Sequence, residues 1–203
     1  MMDIAAIMAA APVIPVLVVD DVAHAQPLAE ALVAGGLPVL EVTLRTPAAL
    51  AVMAEMARVP GAIVGAGTVL SPADLEAALA AGAQFIVSPG LTERLGQAAI
   101  ASGVPFLPGV ANAGDIMRGL DLGLDRFKFF PAVAAGGLPA LKALAAPFAM
   151  ARFCPTGGIS AATAPDWLAE PAVACVGGSW IAARGETDWA AIQARAAAGA
   201  ALR

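Results

Sequence analysis

Short β-branched runs alternate with Ala- and Leu-rich stretches from one end of the chain to the other. The alternation predicts strands at 13–19, 38–43, 62–66, 84–88, 104–107, 126–130, 149–154 and 173–176. Their starts lie about 20 to 25 residues apart, so each interval has room for one helix and two short loops. Ser71-Pro72 and Thr46-Pro47 each read as a hydroxyl cap with proline at the first helical position. Gly35-Gly36, Gly82 and Gly103 stand where helices should stop before the next strand. Met1 to Ala11 carries Asp3 and no basic region, which predicts a packed leading helix rather than a signal peptide. Eight strand–helix units make the expected fold α/β, a single (β/α)8 TIM barrel with an additional N-terminal helix, residues 1–203 forming one domain. A doubly wound open sheet is the competing architecture.

Composition narrows the function. Hydrophobic residues make up 60% of the chain and charged residues 13%, which calls for elements buried on more than one face. A parallel sheet wrapped by helices meets that demand, and so does a subunit that hides part of its exterior in an oligomer. Pro, Gly or charge interrupts every apolar run before the roughly 18 residues a spanning helix needs, so a soluble, cytoplasmic protein with no membrane partner is expected. A net charge of −5 without a basic run argues against nucleic acid or anionic lipid. Cys154 and Cys175 are expected as buried thiols. With His24 the single histidine and no HxH, CxxC or HExxH, neither a metal nor another cofactor is expected.

The scarce polar groups fall at strand ends. In a βα barrel the active site forms where the C-terminal ends of the strands open into their loops. In chain order these ends carry Glu41, Thr43 and Arg45, then Gly67-Thr68, Ser88-Pro89-Gly90, Pro108-Gly109, Lys128, Thr156-Gly157-Gly158 and Gly177-Gly178-Ser179. Lys128 is one of two lysines, and strand alternation sets it on the face opposite Phe127 and Phe129. If those rings pack outward, Lys128 points into the barrel, where poor solvation favours the neutral amine that attacks carbonyls. A strand-end lysine snorkelling to solvent is the alternative. Lys142 reads as an ordinary helix-surface lysine. Glu41 interrupts a β-branched run, which suits a lumen-facing proton carrier or a structural ion pair with Lys128 or Arg45. Arg45 suits a bidentate carboxylate clamp, with a solvated loop charge as the alternative. The two glycine pairs suit an anion, with a helix expected to begin near Ile159-Ser160.

Five segments then carry a resemblance: Leu40-Glu41-Val42-Thr43-Leu44-Arg45-Thr46, Gly65-Ala66-Gly67-Thr68-Val69-Leu70, Ser88-Pro89-Gly90, Phe127-Lys128-Phe129-Phe130-Pro131 and Phe153-Cys154-Pro155-Thr156-Gly157-Gly158-Ile159. In this order they resemble the bacterial 2-keto-3-deoxy-6-phosphogluconate (KDPG) aldolases, which overlap with 4-hydroxy-2-oxoglutarate (KHG) aldolases. The likeness runs from about Pro12 to Ile181.

The resemblance implies a homotrimeric class I aldolase of the Entner–Doudoroff pathway, a lyase that cleaves KDPG to pyruvate and glyceraldehyde 3-phosphate. KHG cleavage to pyruvate and glyoxylate is implied beside it. Lys128 matches the Schiff-base lysine and Glu41 the general acid/base. Arg45 and Thr68 match the holders of the pyruvate carboxylate. Thr156, Gly157, Gly158, Gly178 and Ser179 match the phosphate end, with Pro89 and Phe130 completing the pocket. The likeness departs at Val18-Val19-Asp20-Asp21, where some members carry a basic residue that helps hold phosphate. A phosphosugar isomerase or synthase on the same barrel, and a noncatalytic phosphosugar-binding protein, are the rival readings.

Overall fold

The computed structural model describes residues 2–202. Its strands are β1 (Val13–Leu17), β2 (Val39–Thr43), β3 (Ile63–Gly67), β4 (Ile86–Val87), β5 (Phe106–Leu107), β6 (Gly109–Val110), β7 (Arg126–Phe129), β8 (Arg152–Pro155) and β9 (Val176–Gly178). The helices are α1 (Ile4–Ala9), α2 (Ala25–Ala34), α3 (Ala49–Met56), α4 (Pro72–Ala80), α5 (Glu93–Ser102), α6 (Ala113–Asp121), α7 (Gly137–Ala145), α8 (Ala164–Leu168) and α9 (Trp189–Ala200). All registered strand pairs are parallel. They form a curled sheet in two hydrogen-bonded parts, ordered β5-β4-β3-β2-β1-β9 and β6-β7-β8. Isolated bridges from Phe153 to Val173 and from Thr156 to Gly177 join the β8 and β9 segments.

Each expected strand has a counterpart, and the departures have local causes. The fifth is split at Pro108, which has no N–H to donate. Ahead of it β5 pairs with β4, and beyond it β6 pairs with β7, the Pro108 carbonyl accepting from Lys128 N–H. The seventh starts only at Arg152, because Ala151 N–H closes a turn on Phe148. The eighth ends in glycines, since backbone pairing with β1 asks nothing of the side chain. Of the two expected hydroxyl caps, Ser71 accepts from Asp74 N–H at the head of α4. Thr46 instead donates to the Val19 carbonyl, and α3 begins at Ala49 without a side-chain cap. The leading helix is α1, capped by Asp3; the Met1 end of that expectation lies outside the described residues. Gly103 closes α5 in the left-handed conformation open to glycine.

Strand alternation separates two apolar layers. One set of side chains, including Val13, Leu40, Val42, Phe127, Phe129 and Phe153, packs under the helices. The other comprises Ile14, Val39, Phe85, Val87, Leu107, Cys154 and Cys175, and α1 caps it with Ile7 and Met8. This inner layer fills the concave face at the N-terminal ends of the strands. The C-terminal part of the same face is left for polar residues. Both cysteines are buried, and no disulfide joins them. Among the described residues no helix is long and apolar enough to cross a membrane.

Candidate active site

Lys128 is aimed by its neighbours. The Phe127 ring lies against Gly119 of α6 and the Phe129 ring 6.5 Å from that of Trp167 in α8, so both phenylalanines face the helices. The residue between them is turned to the concave face. There Lys128 Nζ donates to Glu41 Oε1 at 2.9 Å, with side chains only 5% and 4% exposed. The partners are 87 residues apart in the chain. Nζ also lies 5.3 Å from the centroid of the Phe130 ring, within cation–π range. Gly67 makes room for Glu41: a Cβ at that position would collide with the carboxylate. Lys142, by contrast, stands on α7 with a mostly exposed side chain paired to Glu170.

A cavity of about 100 Å³ opens beside the pair, lined by Val16, Arg45, Lys128, Phe130, Thr156, Gly157, Gly158, Ile159, Gly177 and Ser179. Most of the expected site residues thus share one wall. Arg45 donates through Nε to Thr68 Oγ1 at 3.1 Å, and no other hydrogen bond to its guanidinium occurs among the described residues. Its terminal nitrogens are available for a carboxylate. Thr68 has φ of +60°, a left-handed conformation that a β-branched residue adopts at a cost of about 1–3 kcal/mol. Gly157 and Gly158 are also left-handed, at +104° and +80°, a backbone curve in which successive N–H groups can converge on an anion.

Two expected positions fall elsewhere. Gly177, rather than Gly178, lines the cavity; Gly178 faces the Trp180 ring. Pro89 packs its carbonyl onto Gly109 at the neighbouring strand mouth, off the cavity wall. The helix expected near Ile159-Ser160 begins only at Ala164, because Thr163 Oγ1 accepts from Ser160 N–H and holds the intervening loop. Val16 was not singled out in the sequence, and Gly67 and Ile159 stood there only within longer segments, with no role of their own. Apolar or glycine at a strand end carries no chemical signal, and only shape brings these residues to the site.

At the same end of the sheet, on a separate small cleft with Val18, Val19 and Glu186, Asp20 beyond β1 forms a bidentate pair with Arg184 beyond β9, at 2.7 and 2.6 Å. Hydrogen bonding from Arg184 holds the Asp20 carboxyl below the usual carboxylate range, and Asp20 raises Arg184 in turn. Nearby, the Arg195 guanidinium and then the Ala183 N–H lower Glu186 in the same sense. A larger cleft of about 390 Å³ lies at the other end of the sheet, between Met2, Ile7, Ile63, Leu79, Ala83, Gln84 and the end of α5. Among the described residues it offers no charged group, and its Ser102 hydroxyl is engaged with the Ala99 carbonyl.

The arrangement can form an imine at Lys128, move protons through Glu41, clamp a carboxylate with Arg45 and seat an anion against the glycine curve. Known proteins are similar over nearly the whole chain. The model of the KDPG and KHG aldolase family matches residues 4–195. The 2-dehydro-3-deoxy-phosphogluconate aldolase of Zymomonas mobilis is 60% identical over 97% of this chain and 94% of its own length. The KHG/KDPG aldolase of Escherichia coli is 55% identical over 86% and 83%. A crystal structure of the KDPG aldolase of Legionella pneumophila, with pyruvate captured at low pH as a covalent carbinolamine intermediate, is 46% identical. It superposes with a TM-score of 0.95, covering 98% of this chain and 99% of that one.

Proposed function

Since the chain belongs to the KDPG and KHG aldolase family and is an aldolase, we propose that it works by class I chemistry, with Lys128 as Schiff-base nucleophile and Glu41 as general acid/base. The observation that carries this reading is the buried 2.9 Å contact between the two, facing a cavity that also holds Arg45. Proton transfer along that contact turns ammonium and carboxylate into amine and carboxylic acid, so the nucleophile is released without an outside base.

The neutral amine of Lys128 adds to the C2 carbonyl of KDPG, giving a carbinolamine that loses water to a protonated imine. Arg45, braced by Thr68, holds the C1 carboxylate. Glu41, again a carboxylate, takes the proton of the C4 hydroxyl as the C3–C4 bond breaks. Its electrons form the enamine, and glyceraldehyde 3-phosphate departs. Glu41 returns the proton to C3, and water hydrolyses the imine to pyruvate and free Lys128. Thr156, Gly157, Gly158, Gly177 and Ser179 receive the phosphate, and Phe130 covers the imine.

The same imine serves KHG, which yields pyruvate and glyoxylate, and this side activity belongs to the proposal. So does closure of the curled sheet into one (β/α)8 barrel domain over residues 1–203, supported by the β8–β9 bridges at one seam and the continuous chain through Pro108 at the other. Exposed Leu70, Met117 and Val133 are in keeping with a homotrimer, and the Entner–Doudoroff reaction with work in the cytoplasm.

Borohydride added with pyruvate tests the central claim. One pyruvyl group is expected on Lys128, read by peptide mass spectrometry. A label on another residue, or turnover that survives borohydride with no label, would defeat it.

A further inference from the structure

The far end of the cavity is short of positive charge. Its wall there is Thr156, Gly157, Gly158, Gly177 and Ser179, while the cavity's two cations, Lys128 and Arg45, bond to Glu41 and Thr68. Register shows where another cation stands. Pro15 of β1 is paired with Gly178 of β9. The segments that follow Val16 and Ser179, both on the cavity wall, therefore leave the same end of the sheet side by side. A few residues further along each, they meet in the pair of Asp20 with Arg184.

This pair is free to exchange partners. Its side chains are 64% exposed at Arg184 and 47% at Asp20, so solvent screens the attraction and burial does not lock it. A phosphate carries more charge than a carboxylate and presents three acceptor oxygens to the same guanidinium fork. We propose that Arg184 is the specificity-determining cation for the substrate's phosphate, and that Asp20 holds it until the phosphate takes its place. The inference rests on the aldolase reading above and adds to it the residue that recognises the phosphorylated end. It also gives the acidic Asp20 a role: the carboxylate sets a threshold that a dianion passes and a neutral hydroxyl does not.

The test compares kcat/KM for KDPG with that for its dephosphorylated counterpart, in the wild type, Arg184→Gln, Asp20→Asn and the double variant. Arg184→Gln is expected to lower the preference for the phosphorylated substrate about tenfold, the scale of one charge-assisted hydrogen bond in an open site. Asp20→Asn is expected to raise it by freeing the guanidinium, and the double variant to match Arg184→Gln alone. A strap that merely joins two loops would lower Tm in both single variants and move both substrates in the same direction. That pattern, or an unchanged preference in Arg184→Gln, overturns the inference while leaving the aldolase intact. A wild type that cleaves neither substrate removes the aldolase reading and this inference with it.

Discussion

Val39 and Glu41 stand two positions apart on the same face of β2, yet they sit in opposite kinds of surroundings. Val39 is packed among Ile7, Met8 and Phe85, whereas Glu41 is bonded to Lys128. The N-terminal end of the concave face is an apolar plug closed by α1. The C-terminal end holds a buried ion pair beside an open cavity. Both ends bury side chains, but burial of apolar groups at the first adds stability, whereas burial of an ion pair at the second costs it and leaves reactivity. The sheet can carry both because its strands fix the height of each residue on the face.

Removing Lys128 separates the two ends most sharply. Lys128→Met is expected to cut KDPG turnover by on the order of 10⁴-fold or more, and to cost about 3–5 kcal/mol in urea unfolding by leaving Glu41 buried without its partner. Combining it with Glu41→Leu should restore wild-type stability, or exceed it by about 1–4 kcal/mol, with no return of activity. A double variant as unstable as the single would mean that the pair also holds the fold. Next comes Glu41→Gln. It should still trap pyruvate with borohydride, more slowly because Lys128 must then lose its proton to solvent, while turnover falls on the order of 10²–10⁴-fold; near-normal turnover would assign the proton to another group.

At the plug the effect should be thermodynamic alone. Ile7→Ala is expected to cost about 2–5 kcal/mol by opening a cavity in the inner layer, with kcat within about twofold of wild type. A large loss of kcat in a folded Ile7→Ala would show that the two ends are coupled. The smallest effect belongs to Glu186, a half-buried carboxylate beyond β9. Arg195 depresses Glu186, so its stabilising contribution is full above the ordinary carboxylate range and drains away as pH falls through the lowered value. Tm followed against pH should therefore decline less on the acid limb in Glu186→Gln, and an identical acid limb would mean that the bond to Arg195 contributes nothing.

Lys128 was legible in the sequence because strand period is local: once Phe127 and Phe129 face the helices, the residue between them must face inward. The same reasoning placed the eight strands, the Ser71 cap and the glycine at Gly103. It failed at Thr46, where a hydroxyl suited to capping found the Val19 carbonyl instead. It singled out Gly177-Gly178 as a pair but could not say which of the two lines the cavity, because glycines have no side chain to report their face; Gly177 does.

The sequence by itself determined the order of strands and helices, the face on which each scarce polar group lies and, through five segments, the family. Those properties depend on period and motif, which neighbouring residues settle among themselves. Only the tertiary structure decided the 2.9 Å bond between Lys128 and Glu41, the brace of Arg45 on left-handed Thr68, and the pairing of Asp20 with Arg184 across 164 residues. Each depends on how far the sheet curls and which strand ends it brings together, a property of the whole chain that no local pattern contains.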